Sequence, residues 1–180
     1  MCMFLMIIAL PASANHHGRK NYDLFSSSDP AEVKRLIQER GLSVTARYDD
    51  DETLLMKAVE HRANANIINE LISMGSDVNA QDEDGETALM KALDEHCGYD
   101  VIKILLDAGS NVNIQDDDGE TALMYAIDED ASEQVINMLL NAGADVNLRD
   151  RKGRSSLDYA RHERRLNNSA VFERIEKAAK

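Results

Sequence analysis

The acidic run Asp116-Asp117-Asp118-Gly119 has the residue types of a calcium-binding loop. Such a loop needs oxygen ligands at its first, third and fifth positions, glycine at the sixth and glutamate at the twelfth. With Gly119 at the sixth position, Ile114 becomes the first residue and Tyr125 the last. Because isoleucine supplies no oxygen and Tyr125 replaces the glutamate, we expect no metal site here. No motif for a cofactor is evident elsewhere in the sequence.

The pair His96-Cys97 combines a possible base with a possible nucleophile. Side chains adjacent in a helix do not face each other, however, and no third residue is evident to orient the histidine. The only cysteines, Cys2 and Cys97, are too few for a disulfide framework or a zinc site. We therefore expect a protein without catalytic residues, and a thiol-dependent enzyme using Cys97 is the alternative.

The elements that carry these residues repeat along the chain. Glycines recur every 34 residues at Gly41, Gly75, Gly109 and Gly143. Segments 81–95 and 115–129 are identical at twelve of their fifteen positions. Units that recur at a fixed spacing are typical of solenoids, in which stacked neighbours bury apolar faces that no single unit can bury.

Each unit predicts two short helices separated by a polar break. Asp84-Gly85 is a turn dipeptide, and Thr87 can cap the helix that follows it. Asp100 can cap a second helix from Val101 to Ala108, which Gly109 would end in a left-handed conformation.

These signals resemble the ankyrin-repeat family. The matching segments are Asp84–Leu89, Asp118–Leu123, Leu105–Asn113 and Leu139–Asn147. The resemblance covers about residues 29–180. It implies an all-α helical repeat solenoid, an ankyrin-type helix-turn-helix stack with β-turn fingers on one edge.

The sequence also departs from the family. Its period is 34 residues, where the family's is about 33. Methionines stand where the family has a histidine that hydrogen-bonds neighbouring turns, at Met56, Met90 and Met124. We expect packing of these adaptable side chains to contribute more to cohesion between units than that hydrogen-bond network does.

The N-terminus has the pattern of a secretory signal peptide. An apolar run from Cys2 to Leu10 precedes Pro11 and the small residues Ala12-Ser13-Ala14. We expect cleavage after Ala14 and a secreted or periplasmic protein with no membrane-inserted segment in its mature form. The alternative is a cytoplasmic protein.

The domain organisation follows from the repeat. We expect a signal peptide over residues 1–14, a linker or N-terminal cap over 15–28 and the ankyrin-repeat domain over 29–180. The predicted units cover about residues 29–49, 50–83, 84–117 and 118–151, with a C-terminal cap over 152–180.

Charge indicates the kind of partner. The formal net charge is -13, so the surface repels nucleic acid phosphates, and we expect no nucleic acid partner. The resemblance implies a concave recognition surface built from the turn tips and the exposed face of the first helices. The first three tips, residues 48–52, 81–86 and 115–120, are acidic, and the fourth, residues 149–154, is basic. We therefore expect a basic protein partner that is steered by charge.

The predicted function is therefore a monomeric, non-catalytic interaction module, and masking or inhibition of the partner is one use of its surface. A self-associating structural scaffold is the alternative. The candidate partner-binding residues are Tyr48, Asp50, Asp51, Lys57, His61, Asp82, Glu83, Lys91, Asp94, Glu95, Asp116, Asp117, Tyr125, Asp128, Glu129, Arg149 and Arg151. Tyr48 and Tyr125 are the expected aromatic anchors. A competing interpretation is that the tip acids only stabilise turns, which suits Asp84 and Asp118 beside their glycines better than the neighbouring acids.

Overall fold

A computed structural model describes residues 24–166 and 169–180. The predicted signal peptide, residues 1–14, and most of the predicted linker lie outside the described residues. The described α-helices are α1 (Pro30–Glu39), α2 (Leu54–Glu60), α3 (Ala65–Ser73), α4 (Ala88–Asp94), α5 (Tyr99–Asp107), α6 (Ala122–Asp128), α7 (Glu133–Asn141), α8 (Ser156–His162) and α9 (Ala170–Ala178). Short 3-10 turns cover Asp49–Asp51 and Arg164–Leu166.

The helices form two layers. Helices α2, α4, α6 and α8 pack side by side as an inner row, and α1, α3, α5, α7 and α9 form an outer row. Each inner helix also packs on the outer helix that follows it. Single antiparallel bridges close the turns between repeats, at Gln81 with Thr87, Gln115 with Thr121 and Arg149 with Ser155. This arrangement confirms the predicted all-α solenoid with turn fingers on one edge.

Threonine caps begin the inner helices α2, α4 and α6, as the sequence predicts. The side chains of Thr53, Thr87 and Thr121 each accept a hydrogen bond from a methionine amide in the first turn. Such a cap satisfies one of the backbone donors that a helix start leaves unpaired. The repeated threonine therefore sets the register of the inner row.

The predicted cap of the second helix in the unit 84–117 is wrong. Helix α5 begins at Tyr99 after Gly98, no side chain caps it, and Asp100 lies within its first turn. The equivalent caps one repeat before and after are Asn64 and Ser132, both of which accept amide hydrogen bonds. The repeat register places the helix start at Gly98, and glycine has no side chain with which to cap it.

Small residues let the inner helices approach one another. Ala58, Ala92, Ala126 and Ala160 occupy equivalent positions, and each has 0 % of its surface exposed. Leu24 and Phe25 are buried at the N-terminal end of the stack, where the Phe25 ring packs edge-on against His61. Within the described ranges, no helix combines the length and apolar character needed to cross a bilayer.

Candidate protein-binding surface

The turn fingers are built by an aspartate at their first corner. Asp82 Oδ1 accepts hydrogen bonds from the amides of Asp84 at 3.1 Å and Glu86 at 2.8 Å. Asp116 and Asp150 make the same pair of bonds in the next two fingers. Turn stabilisation therefore falls on Asp82 and Asp116, and not on Asp84 and Asp118 as the sequence suggested, because the accepting oxygen must lie inside the turn.

Backbone hydrogen bonds join neighbouring tips. The Glu83 amide donates to Asp50 O at 3.1 Å, and the Asp117 amide donates to Asp84 O at 2.9 Å. The Arg151 amide continues the row to the next tip. These bonds hold the tips in register, so charges at equivalent tip positions form a row along the stack.

Side-chain amides replace the expected histidine network. Gln81 Nε2 donates to Gly85 O in its own finger and to Gln115 O in the next. Gln115 repeats this pattern one finger later, with Gly119 O and Arg149 O. The methionines that stand at the histidine positions are buried, so hydrogen bonding between turns comes from another position of the repeat.

A second inter-repeat contact uses one position of the inner helices. This position is occupied by Lys91 in α4, Tyr125 in α6 and Tyr159 in α8. The Tyr125 hydroxyl lies 2.9 Å from Asp116 Oδ2 in its own finger and 2.7 Å from Glu86 Oε1 in the preceding one. Burial is the main cause that raises the pKa of Tyr125, and the two carboxylates raise it further. The hydroxyl therefore stays protonated and joins the two repeats.

At the equivalent position in α4, the charged ammonium of Lys91 takes the place of the tyrosine hydroxyl. Its ammonium lies 2.8 Å from Asp82 Oδ2, 2.9 Å from Glu60 Oε1, 3.1 Å from Glu52 Oε1 and 3.4 Å from Glu86 Oε2. Burial alone would lower the pKa of Lys91, but these carboxylates outweigh burial and raise it. Only 12 % of the Lys91 side chain is exposed. Lys91 and Asp82 thus lie beneath the exposed tip residues, where their charges are already paired within the protein.

The other candidate residues divide by exposure. The exposed ones are Asp50, Asp51, Glu83, Asp94, Asp117, Asp128, Arg149 and Arg151. The half-buried ones are Tyr48, Lys57, His61, Glu95, Asp116, Tyr125 and Glu129. The hydroxyls of both expected aromatic anchors already have partners within the protein. The Tyr48 hydroxyl hydrogen-bonds to the backbone of Ser43, and the Tyr125 hydroxyl to two carboxylates. We call the exposed set, together with Asp84, Asp118 and Lys152, the tip surface.

An open cleft of about 310 Å³ lies between the first two acidic tips. Glu52 and Glu60 line it. The sequence places Glu52 in the first tip and Glu60 on the exposed face of the first inner helix, although neither is among the candidate partner-binding residues. Glu52, Glu86 and Glu120 are spaced one repeat apart, and this spacing was the signal that could have identified Glu52.

The fourth tip differs because its arginines are partly paired. Arg154 binds Asp150 Oδ2 at 2.6 Å and lies over the Tyr159 ring at 4.4 Å. Arg149 donates to Gly153 O at 2.7 Å. Among the described residues, the side chains of Arg151 and Lys152 form no ion pair, so they supply the available positive charge.

The environment of Cys97 does not favour nucleophilic chemistry. Its thiol lies 3.7 Å from Val59 O, and burial raises its pKa, which lowers the reactive thiolate fraction. The His96 ring bonds to Asp94 O through Nδ1. Within the described residues, no group of three or more His, Cys, Asp or Glu side chains could hold a metal ion.

Comparison with known proteins identifies the repeat. The family described as "Ankyrin repeats (3 copies)" matches residues 25–116, 55–150 and 95–169. These overlapping matches extend from residue 25 to residue 169, which is most of the chain of 180 residues. No curated protein matches the chain significantly.

Proposed function

The chain belongs to the ankyrin-repeat family, and on this premise we propose that its tip surface binds a basic protein partner. Ankyrin repeats are generally protein–protein interaction modules, and proteins built from them are typically non-catalytic. The family gives the class of function, and the charges of the tip surface indicate the class of partner.

A row of unpaired carboxylates carries the proposal. Glu83, Asp84, Asp117 and Asp118 are exposed on two consecutive tips, and among the described residues their side chains have no ion-pair partner. A carboxylate that already has a cation, such as Asp82 with Lys91, attracts a ligand less strongly. The unpaired tip acids therefore dominate the field that an approaching partner meets.

The charge distribution also has a direction. Asp94 and Asp128, at the C-terminal ends of α4 and α6, extend the negative charge from the tips onto the inner row. Arg151 and Lys152 at the fourth tip supply the opposite charge. A partner with a basic segment followed by an acidic one would therefore bind in one orientation, because like charges would face each other in the other.

Affinity capture with matched baits tests this proposal. The tip bait carries Glu83→Gln, Asp84→Asn and Asp117→Asn, and the control bait carries Asp100→Asn, Glu133→Gln and Glu173→Gln. Both sets remove three acidic charges, and the control acids lie in the first turns of outer helices. We expect the wild-type and control baits to retain a basic protein that the tip bait loses, with retention falling as salt rises. Equal capture by the tip bait, or capture that is insensitive to salt, would contradict the proposal.

Location, oligomeric state and use of the surface belong to the same proposal. We propose that the protein is exported after cleavage behind Ala14, acts as a monomer, and masks the basic surface of its partner. N-terminal sequencing of the mature protein should begin at Asn15, and an intact Met1 would contradict export. Light scattering should give the mass of one chain, whereas a larger mass would favour the self-associating scaffold.

A further inference from the structure

Carboxylates outnumber ammonium groups at the junction where α2 packs against α4, around Lys91. Four carboxylates, from Glu52, Glu60, Asp82 and Glu86, surround the Lys91 ammonium. An ammonium donates three hydrogen bonds at most. Lys57 supplies a second ammonium, 2.5 Å from Glu52 Oε2. If all four were ionised, four negative charges would face two positive ones in a half-buried space, where like charges repel more strongly than in water.

Two of these carboxyl groups also contact each other. The Lys91 ammonium lies 3.1 Å from Glu52 Oε1 and 2.9 Å from Glu60 Oε1, so both carboxyl groups meet at one cation. This brings them close enough to hydrogen-bond to each other. A hydrogen bond between two carboxyl groups needs a proton on one of them, because an ionised carboxylate only accepts. Burial and then the bond to Glu52 raise the pKa of Glu60 to about 7. The pKa of Glu52 is lowered, because its bonds to Glu60, Lys57 and Lys91 outweigh the effect of burial. The proton therefore resides on Glu60.

We propose that the Glu52–Glu60 pair is a proton-controlled lock between the first two inner helices. With the proton held, Glu60 donates to Glu52 and both accept from Lys91, so that α2 is tied to α4. When the proton leaves, the ionised Glu60 is held out of water and is also repelled by Glu52 within a cluster that is already negative, so the junction weakens.

Other charged groups face the pair from each side. Lys57 lies on α2 and His61 directly follows its last residue. Asp82 and Glu86 lie on the second finger, and Lys91 lies on α4. Asp49, Asp50, Glu83 and Asp84 line the outer part of the cleft. Carboxylates outnumber the cations in this set, so the surroundings favour a retained proton.

The later junctions are built differently. Tyr125 and Tyr159 replace Lys91 there, and Asp94 and Asp128 stand at the positions equivalent to Glu60. Both aspartates are exposed and, within the described chain, form no side-chain ion pair. These positions provide matched controls for Glu60.

The direction of the pH effect follows from proton linkage. The folded state holds the Glu60 proton up to a pH of about 7, whereas the unfolded chain releases it near the ordinary value of 4.5. Stability supplied by this proton is therefore complete below the unfolded value and is lost as pH rises through the folded value.

Urea denaturation of the full chain at pH 5, 6, 7 and 8 tests the lock, with wild type, Glu60→Gln and the control Asp128→Asn. Glutamine keeps the neutral form at every pH. We expect the midpoints of wild type and Glu60→Gln to be closest at pH 5 and to move apart by about 0.5 M urea by pH 8, with Glu60→Gln the more stable. Asp128→Asn should follow wild type throughout. Parallel pH profiles for wild type and Glu60→Gln would overturn the proposal.

Carboxyl carbon NMR of the wild-type protein provides a test that needs no folded variant. The Glu60 resonance should titrate near pH 7, well above the other glutamates. A Glu60 midpoint near 4.5 would overturn the proposal whatever the denaturation data show.

Discussion

The Tyr125 hydroxyl lies 2.7 Å from Glu86 Oε1, although the two residues are 39 positions apart in the sequence. The bond joins helix α6 to the finger of the preceding repeat. Its position in the repeat is the one that Lys91 occupies one unit earlier. Contacts between adjacent repeats, together with those inside each finger, therefore engage the polar groups beneath the tip surface.

Removal of the Tyr125 hydroxyl should destabilise the stack. Tyr125→Phe leaves the half-buried carboxylates of Glu86 and Asp116 without their shared hydroxyl, which should cost about 1–3 kcal/mol. Chemical denaturation measures the loss. Tyr99→Phe is the control, because Tyr99 is exposed and its hydroxyl has no bond within the described residues. The control should change stability by less than about 0.5 kcal/mol. Equal effects of the two variants would contradict the role given to Tyr125.

Close approach of neighbouring fingers should make Gly85 intolerant of a side chain. A Cβ there would lie 2.9 Å from Asp117 N, on a backbone with a φ of +79°. Gly153 has the same φ, but a Cβ there would meet no atom within 4 Å. We expect Gly153→Ala to cost about 1 kcal/mol from backbone strain alone and Gly85→Ala about 2 kcal/mol more. Thermal or urea denaturation compares the two, and equal costs would show that the neighbouring finger yields freely.

The two aspartates of one finger should differ in importance. Asp82→Ala removes the oxygen that accepts two amide hydrogen bonds and also one carboxylate partner of Lys91, and should cost about 2–4 kcal/mol. Asp84→Ala removes an exposed carboxylate and should cost less than about 0.5 kcal/mol. Denaturation midpoints at pH 7 distinguish them. A larger loss for Asp84→Ala would restore the interpretation that the aspartate beside the glycine holds the turn.

The Cys97 thiol should react slowly. Its raised pKa leaves less thiolate at pH 8 than an ordinary cysteine has, so alkylation by iodoacetamide should be slower in the folded protein than in urea. Peptide mass spectrometry follows Cys97 separately from Cys2. Reaction of folded Cys97 faster than the unfolded thiol would reopen the thiol-dependent alternative.

Much of the fold could be predicted because it depends on short-range signals. The recurring threonine caps and glycine helix ends act within a few residues, so their spacing alone predicts the paired helices. The exception at Gly98 shows the limit of such local signals. Asp100 has the residue type of a cap, but packing of α5 in register with α3 and α7 begins the helix at Tyr99.

The candidate site could be predicted only in part. The acidic and basic tips are evident from the sequence, but their division into paired and unpaired charges is not. Asp82 and Glu83 are neighbours of similar type, yet one is buried against Lys91 and the other is exposed. The sequence placed Glu52 and Glu60 on the recognition surface but could not predict their cluster, because Lys91 reaches both carboxylates across a repeat boundary.

The sequence by itself determined the repeat, its period, the helix pairs and the net charge, because each depends on residue type and spacing along the chain. The tertiary structure alone decided which charges remain available to a partner. Burial and ion pairing at Lys91 and Tyr125 depend on side chains from adjacent repeats, brought together only when the helices stack, and a charge that finds an internal partner there is largely lost to the surface.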